Sequence, residues 1–228
     1  MADLESDANS EDDQPPAPSW KEPRWPAAIA IVVALGLYLA LPPQYVVGHR
    51  LLLPCLEVVL LIPLLLSHPD RVVHEGRWMR IVSILLIAVI SVANLTSLGL
   101  LVRSLLRGSQ TPGTELVFAA IAIWGTSVLV FSLWYWELDG GGPHDRHKTK
   151  IDTRDFLFVQ DASKDVFTKL WFPTYFDYLY VSFTNSTAFS PTDTMPLSFR
   201  SKLLMMVQSA AAFITVALVA ARAINILS

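Results

Sequence analysis

Long apolar runs constrain this chain more than any other feature of its sequence. The longest, Met79 to Leu106, contains no acidic residue and only two basic ones, Arg80 and Arg103. A helix of this length satisfies its own backbone hydrogen bonds and presents apolar side chains on every side, as a lipid bilayer requires. Hydrophobic residues make up 53% of the chain, charged residues 16%, and the mean hydropathy is +0.45. These values indicate an integral membrane protein.

Five such runs predict an all-α integral membrane helical bundle with five transmembrane helices. Each run approaches the roughly 20 residues that a crossing needs, although the second requires flanking residues to reach that length. Five crossings place the two termini on opposite sides of the membrane. The runs are Trp25 to Leu41, Leu51 to Leu66, Met79 to Leu106, Glu115 to Trp136 and Lys202 to Leu227.

These runs divide the chain into four regions. Residues 1–24 form an acidic, proline-rich tail that is too polar to bury a core and is predicted to be disordered. The first four runs occupy residues 25–136, and residues 137–174 form a polar loop. Residues 175–228 contain a short aromatic helix, a polar turn and the last run. The aromatic stretch, Tyr175 to Thr184, is too short to cross a bilayer, so it predicts a re-entrant or interfacial helix before the last span.

The C-terminal region resembles the pore unit of the potassium-channel superfamily. "FDYLYVSFTNST" is similar to the pore helix, Thr187 takes the place of the threonine that opens the filter, and "DTMP", Asp193 to Pro196, resembles the Asp-x-x-Pro that follows it. The filter glycines are absent, because "AFSPT" contains none and Pro191 fixes its own φ. The resemblance therefore implies a pore loop without a potassium-selective filter.

The whole chain also resembles an uncharacterised bacterial family of small five-span integral membrane proteins of unknown function. The segments that carry this likeness are "WYWELDGGGP", "DFLFVQ" and "DYLYVSFTNSTAFSPTDTMPL". The resemblance implies the five-span fold and a multi-pass location in the cell membrane, the bacterial inner membrane. It implies no established activity.

Two functions fit these features. The first is channel-like permeation of an inorganic cation or small solute by a homo-oligomer in the lipid bilayer, with Asp177, Thr187, Ser190, Thr192 and Asp193 at the site. The alternative is a non-conducting membrane scaffold or accessory subunit. We expect no enzyme activity, cofactor, metal site or nucleic-acid partner, because the chain has no nucleophile motif, phosphate-binding glycine loop or Cys–His cluster.

Polar residues inside the apolar runs are further candidates. Glu57 lies within the second run, where a carboxylate is costly and either serves a function or makes a buried structural contact. Amide and hydroxyl side chains in the third and fifth runs are predicted to form interhelical hydrogen bonds. These are Asn94, Thr96, Ser97, Gln208 and Ser209.

The segment "WYWELDGGGP", Trp134 to Pro143, is typical of an aromatic belt followed by a solvated turn. In this interpretation Glu137 and Asp139 lie in the wet layer. A membrane enzyme that uses these two carboxylates is a third and weaker hypothesis.

The orientation arguments disagree. Basic residues concentrate on the side of the N-terminus, which favours a cytoplasmic N-terminus and an external C-terminus under the positive-inside rule. In potassium channels the filter faces outside, so the pore-loop resemblance requires the reverse orientation. The charge distribution uses more of the chain, and we prefer it.

Overall fold

The structure, a computed structural model, describes residues 23–46, 54–55, 58–59, 75–108, 111–143, 145–146, 153–163, 171–187 and 193–227. This part is mostly helical. Three of its helices are long and apolar enough to cross a membrane, over Arg80–Leu106, Gly113–Gly141 and Phe199–Arg222. They correspond to the third, fourth and fifth predicted runs. The first run forms a shorter apolar helix, and most of the second, including Glu57, lies outside the described residues.

Five helices of 13 or more residues and a two-stranded ribbon make up most of the described fold. Short helical turns lie at Pro43–Tyr45, Asp139–Gly141 and Val159–Ala162, and residues 54–55 and 58–59 are also helical. The helices are α1 (Trp25–Ala40), α2 (Glu75–Leu106), α3 (Gly113–Leu138), α4 (Tyr175–Thr187) and α5 (Phe199–Leu227), and the strands are β1 (Phe156–Phe158) and β2 (Thr194–Pro196).

The helix boundaries follow from local sequence. Pro26 lies in the first turn of α1, where no intrahelical N–H is needed, and Pro42 follows its last turn. Thr174 precedes α4, and the Asp177 carboxylate accepts hydrogen bonds from the Thr174 backbone N–H at 2.7 Å and from its hydroxyl at 2.8 Å. This arrangement is a variant of the capping box. It fixes the start of α4.

Helix α3 lies at the centre of the bundle and packs against α1, α2, α4 and α5. In the most apolar window of α3, 67% of residues are buried inside the protein, compared with 28% in α5. Helix α3 therefore provides the core, while α5 leaves most of its surface exposed.

The directions of the helices define two ends of the bundle. The Trp134 indole N–H donates to Ser91 at 2.8 Å, while Leu101 near the end of α2 lies beside Leu116 near the start of α3, so α2 and α3 are antiparallel. We call the end where α3 finishes the Asp139 end, and the end where α3 begins the Thr111 end. The first helix ends at the Thr111 end, because Tyr45 and Ser104 share a hydrogen bond of 3.4 Å.

Helix α4 runs antiparallel to the second half of α3. Tyr175, its first residue, shares a hydrogen bond with Ser132, and Ser182 donates to the Val128 carbonyl at 2.7 Å. The Phe183 ring meets Trp124 edge to face, with centroids 5.9 Å apart. Helix α4 therefore begins near the Asp139 end and ends about halfway along α3.

The chain is back near the Asp139 end by the start of β2. Strand β2 pairs antiparallel with β1, with Phe156 opposite Pro196 and Phe158 opposite Thr194. Helix α5 then starts beside the ribbon, where the Ser201 hydroxyl donates to the Asp155 carbonyl at 3.0 Å. It continues to the Thr111 end. The sequence did not predict this ribbon, which lies in the expected polar loop and turn.

Candidate functional site

Of the predicted site residues, the structure describes Asp177, Thr187 and Asp193. The Asp177 carboxylate is engaged in capping α4, as described above. Thr187 is the last residue of α4 and is exposed, and its hydroxyl donates to the Phe183 carbonyl of its own helix at 3.0 Å. Ser190 and Thr192 lie outside the described residues.

Asp193 is exposed and lies next to the middle of α4. Its carboxylate accepts a hydrogen bond of 3.2 Å from the Tyr180 hydroxyl, and Tyr180 is 50% exposed. Tyr180 is one helical turn beyond Asp177, so the structure brings Asp193 to the N-terminal half of α4. Thr187 lies two turns farther along the helix. The two ends of the predicted site are therefore separated along α4.

A fully buried amide network joins α3, α4 and α5 behind this face. The side-chain oxygen of Gln208 accepts from the Tyr135 hydroxyl at 2.5 Å and from Asn185 at 2.9 Å. Its amide nitrogen donates to the Ser182 and Ser186 hydroxyls at 2.6 and 2.7 Å. All five side chains belong to buried residues. The predicted interhelical role of Gln208 is confirmed.

The network shows which way the polar side chains of α4 face. The helix extends through Thr187 and directs Ser182, Asn185 and Ser186 against α3 and α5. Asn185 also donates to the Met205 carbonyl at 3.1 Å and accepts from Ser209 at 3.1 Å. Their polar atoms therefore hold α4 in place.

The predicted interhelical role of Ser209 is also confirmed, because its hydroxyl donates to Asn185 of α4, but the bonds predicted for α2 behave differently. Thr96 is exposed and donates to the Val92 carbonyl of its own helix, so the prediction for Thr96 is wrong. Such back-bonding satisfies a hydroxyl without a neighbouring helix. Asn94 and Ser97 are buried, but within the part of the chain that the structure describes the Ser97 hydroxyl makes no hydrogen bond.

A second buried cluster lies at the Asp139 end. One Asp139 oxygen accepts from the backbone N–H groups of Asp155 and Phe156 at 2.8 and 3.1 Å, and the other accepts from the Tyr178 hydroxyl at 2.5 Å. The Arg146 Nε lies 3.8 Å from that second oxygen, and both side chains have 0% exposure. Asp139 thus connects α3, β1 and α4.

The Arg146 guanidinium completes the cluster. It donates to the backbone carbonyls of Trp136 and Pro173, and its central carbon lies 4.7 Å from the centre of the Tyr178 ring. A buried charge is tolerated only when it is paired and its donors are used, and both conditions are met. This cluster is built to hold the end of α3 against the start of α4.

The buried cluster overturns the interpretation of "WYWELDGGGP" as a solvated turn. Tyr135, Trp136, Glu137 and Asp139 are all buried, so the two carboxylates do not lie in a wet layer. Two features fold the turn inwards: the partners of Asp139 and three consecutive glycines with positive φ, Gly140, Gly141 and Gly142. The saturated Asp139 carboxylate also offers little to a substrate.

Tyr175 marks the boundary between the two clusters. Its hydroxyl shares a 2.7 Å hydrogen bond with Ser132. Tyr175 therefore serves as a hydrogen-bonding anchor between α3 and α4.

No protein-family model, curated protein or solved structure matches this chain. Within the described ranges, no group of three or more His, Cys, Asp or Glu side chains could hold a metal ion. Among the described residues, the exposed polar side chains near α4 include Asp193 with Tyr180 and, at the far end of the helix, Thr187.

Proposed function

We propose that this protein is a five-span membrane protein in which α4 is a re-entrant helix. Val46 lies at the Thr111 end, next to Tyr45, whereas α2 begins toward the Asp139 end. The connection between them, which contains the second apolar run, therefore leads from one end of the bundle to the other. One more crossing there, together with α1, α2, α3 and α5, gives five.

The path of the chain around α4 is the observation that carries the functional proposal. Helix α4 enters from the Asp139 end, stops about halfway along α3, and the chain is beside Tyr180 again at Asp193. A helix, a return and a full-length helix also form the pore unit that the sequence resembles. Non-helical backbone at membrane depth is tolerated where it is buried in protein or lines a water-filled cavity.

We therefore assign the protein to channel-like permeation of an inorganic cation or small solute as a homo-oligomer. Asp193 provides the negative charge at the mouth, and Thr187, Ser190 and Thr192 provide hydroxyls along the return. Asp177 contributes by holding the start of α4. Because the filter glycines are absent, the proposed pathway does not select potassium by a standard filter.

The test is ion flux through liposomes that contain the purified full-length chain. We expect a cation flux that Asp193→Asn lowers severalfold, because the carboxylate at the mouth concentrates cations. The matched control is Glu115→Gln, which removes an exposed acid at the Thr111 end and is expected to leave the flux unchanged. Folded, reconstituted protein that passes none of the common ions would overturn the proposal.

One observation favours a non-conducting scaffold or accessory subunit as the second candidate. The buried polar side chains of α4 and α5 hydrogen-bond to one another and to the backbone, so they do not line a pathway for ions. These are Ser182, Asn185, Ser186 and Gln208. A scaffold would co-purify with a stable partner. Substitutions from Thr187 to Asp193 would then leave transport unchanged and weaken that association.

We place the protein in the cell membrane, with the Asp139 end facing the cytoplasm. The described basic residues near this end include Arg24, Arg80, Arg146, Arg154 and Arg200, whereas Arg103, Arg107 and Arg222 lie toward the other end. This distribution agrees with a cytoplasmic N-terminus. The proposed mouth at Asp193 then opens to the cytoplasm, opposite to the potassium-channel arrangement.

A further inference from the structure

A groove at the Thr111 end is formed by three helices and lies far from the proposed permeation site. Its floor is apolar, and among the described residues Arg222 of α5 is the only charged side chain that lines it. Its apolar lining comes from Leu101 and Leu105 of α2, Leu116, Val117 and Ala120 of α3, and Leu218 and Val219 of α5.

The arginine in this groove has unused hydrogen-bonding capacity. In the part of the chain that the structure describes, the Arg222 Nε is buried and has no hydrogen-bond partner. Because an unpaired buried donor is costly and the Arg222 side chain is only partly buried, the guanidinium favours an anionic acceptor at the surface of the groove. The surrounding charge has the same sign. Among described residues toward this end, Arg103, Arg107 and Arg222 outnumber the single acid Glu115.

The lining of the groove also complements an amphiphile, with a charged residue at one end and apolar side chains at the other. Arg222 lines the groove together with Leu116, the residue after the exposed acid Glu115 in the first turn of α3, so it lies close to the level at which charged side chains meet lipid headgroups. One turn towards the bundle centre, Leu218, Leu101 and Ala120 supply the deeper part of the floor. An anionic head beside Arg222 would therefore continue into an acyl chain against these side chains.

We infer that this groove binds an anionic phospholipid of the bilayer, with its phosphate on Arg222 and part of one acyl chain on the apolar floor. The positive charge of Arg222 favours an anionic headgroup over a neutral one. The apolar floor favours a lipid over a free anion. This site goes beyond the proposed permeation function and does not depend on it.

The experiment uses the full-length chain, purified in detergent and stripped of lipid. Native mass spectrometry then compares phosphatidylglycerol and phosphatidylcholine with identical acyl chains. We expect about fivefold tighter binding of the anionic lipid, because one basic residue at a membrane surface contributes about that factor. Inorganic phosphate is a further arm, and it is expected not to displace the lipid.

Three variants locate the site. Arg222→Gln is expected to remove the preference for phosphatidylglycerol, Arg222→Lys to retain it, and Leu218→Trp to weaken both lipids by filling the floor. Lys202→Gln is the matched control, because Lys202 is an exposed basic residue at the other end of the same helix. It should retain the preference.

Several outcomes overturn the inference. Equal binding of the two lipids by the unmodified protein would show that the groove does not distinguish an anionic from a neutral headgroup, or that another part of the chain occupies the groove. A preference that survives Arg222→Gln or disappears in Lys202→Gln would place the lipid elsewhere. Displacement by inorganic phosphate would identify a plain anion site. If Arg222→Gln does not fold, the lipid and phosphate comparisons on the unmodified protein still decide.

Discussion

Gln208 concentrates more of the interhelical hydrogen bonding than any neighbour in its network. Its oxygen serves Tyr135 and Asn185, while its nitrogen serves Ser182 and Ser186. Because a primary amide both donates and accepts, one side chain can satisfy groups of both kinds on two helices. A leucine of similar size could fill the space but would leave those groups unpaired.

We therefore expect Gln208→Leu to destabilise the protein by about 2–3 kcal/mol, since several buried partners lose a bond in a setting where each contributes modestly. The measurement is the free energy of unfolding in detergent. Ser209→Ala is the control. Ser209 is only half-buried, and within the described residues it bonds to Asn185 alone, so its loss should cost no more than about 0.5 kcal/mol. Equal effects from both variants would contradict the central role of Gln208.

Asp139 and Asp193 provide a second comparison between two carboxylates near the same end. Asp139 is fully buried and faces Arg146, whereas Asp193 is exposed and accepts one bond from Tyr180. We expect Asp139→Asn to cost about 3–5 kcal/mol, because it leaves the Arg146 charge buried without its acid. Asp193→Asn should cost less than about 1 kcal/mol. Thermal unfolding of both variants checks this, and a stable Asp139→Asn would refute the structural role.

At the scale of elements, the turn after α3 requires glycine at Gly142, because of its backbone conformation and the space around it. Gly142 has a φ of 94°, and a Cβ added there would lie 3.0 Å from the Glu137 carbonyl oxygen. Gly108, after α2, also has a positive φ, 67°, but a Cβ there would meet nothing within 4 Å. The two positions share a positive φ that costs glycine little and other residues more, and they differ in the space around them.

Gly142→Ala is therefore expected to destabilise the protein by roughly 3 kcal/mol, and Gly108→Ala by only about 1 kcal/mol, because the first adds a backbone clash to the conformational strain. Unfolding free energies of the two variants give the comparison. Similar losses would mean that the turn relaxes and that the close approach of Gly142 to Glu137 is not required.

The sequence predicted the elements better than their connections. Hydropathy located α2, α3 and α5, with boundaries close to Glu75–Leu106, Gly113–Leu138 and Phe199–Leu227, because length and apolarity are local properties. The first helix was also located at Trp25–Ala40. The β1–β2 ribbon was not predicted, because strands of three residues carry too little periodicity to be recognised and pair residues about forty positions apart.

The candidate site was predicted only in part, because the burial of its residues depends on tertiary packing. Nothing local distinguishes Arg146 from the other basic residues of its loop, yet its side chain is fully buried against Tyr178. Asp139 likewise follows an aromatic segment that suits a membrane interface. Their burial depends on where α4 packs, which a single sequence does not reveal. Gln208 was predictable because a polar amide inside an apolar run requires a partner.

For the whole molecule, the opposite positions of the first and last described residues support an odd number of crossings. Pro23 and Arg24 lie next to the start of α1, and α5 ends at the Thr111 end. We expect a reporter fused to the N-terminus to be active in the cytoplasm and one fused to the C-terminus to be active outside. Both reporters active on one side would refute five crossings.

Cysteine labelling in intact cells offers an independent check of that orientation. The exposed Cys55 is first replaced by serine, and Asp193→Cys and Glu115→Cys are then introduced separately. A membrane-impermeant maleimide added outside should label the variant at 115 and spare the variant at 193 until the membrane is opened. The reverse pattern would restore the orientation of the potassium channels.

The arrangement of α4 has a consequence for how the chain enters the membrane during synthesis. The polar groups of Asn185 and Ser186 find partners on α5, a helix that leaves the ribosome after them. Until Gln208 has emerged, amide and hydroxyl groups of α4 would lack partners inside the bilayer, and α4 has too few residues to cross it. Insertion of α4 is therefore a late step that waits for the last helix, and a chain truncated before Gln208 should leave α4 at the membrane surface.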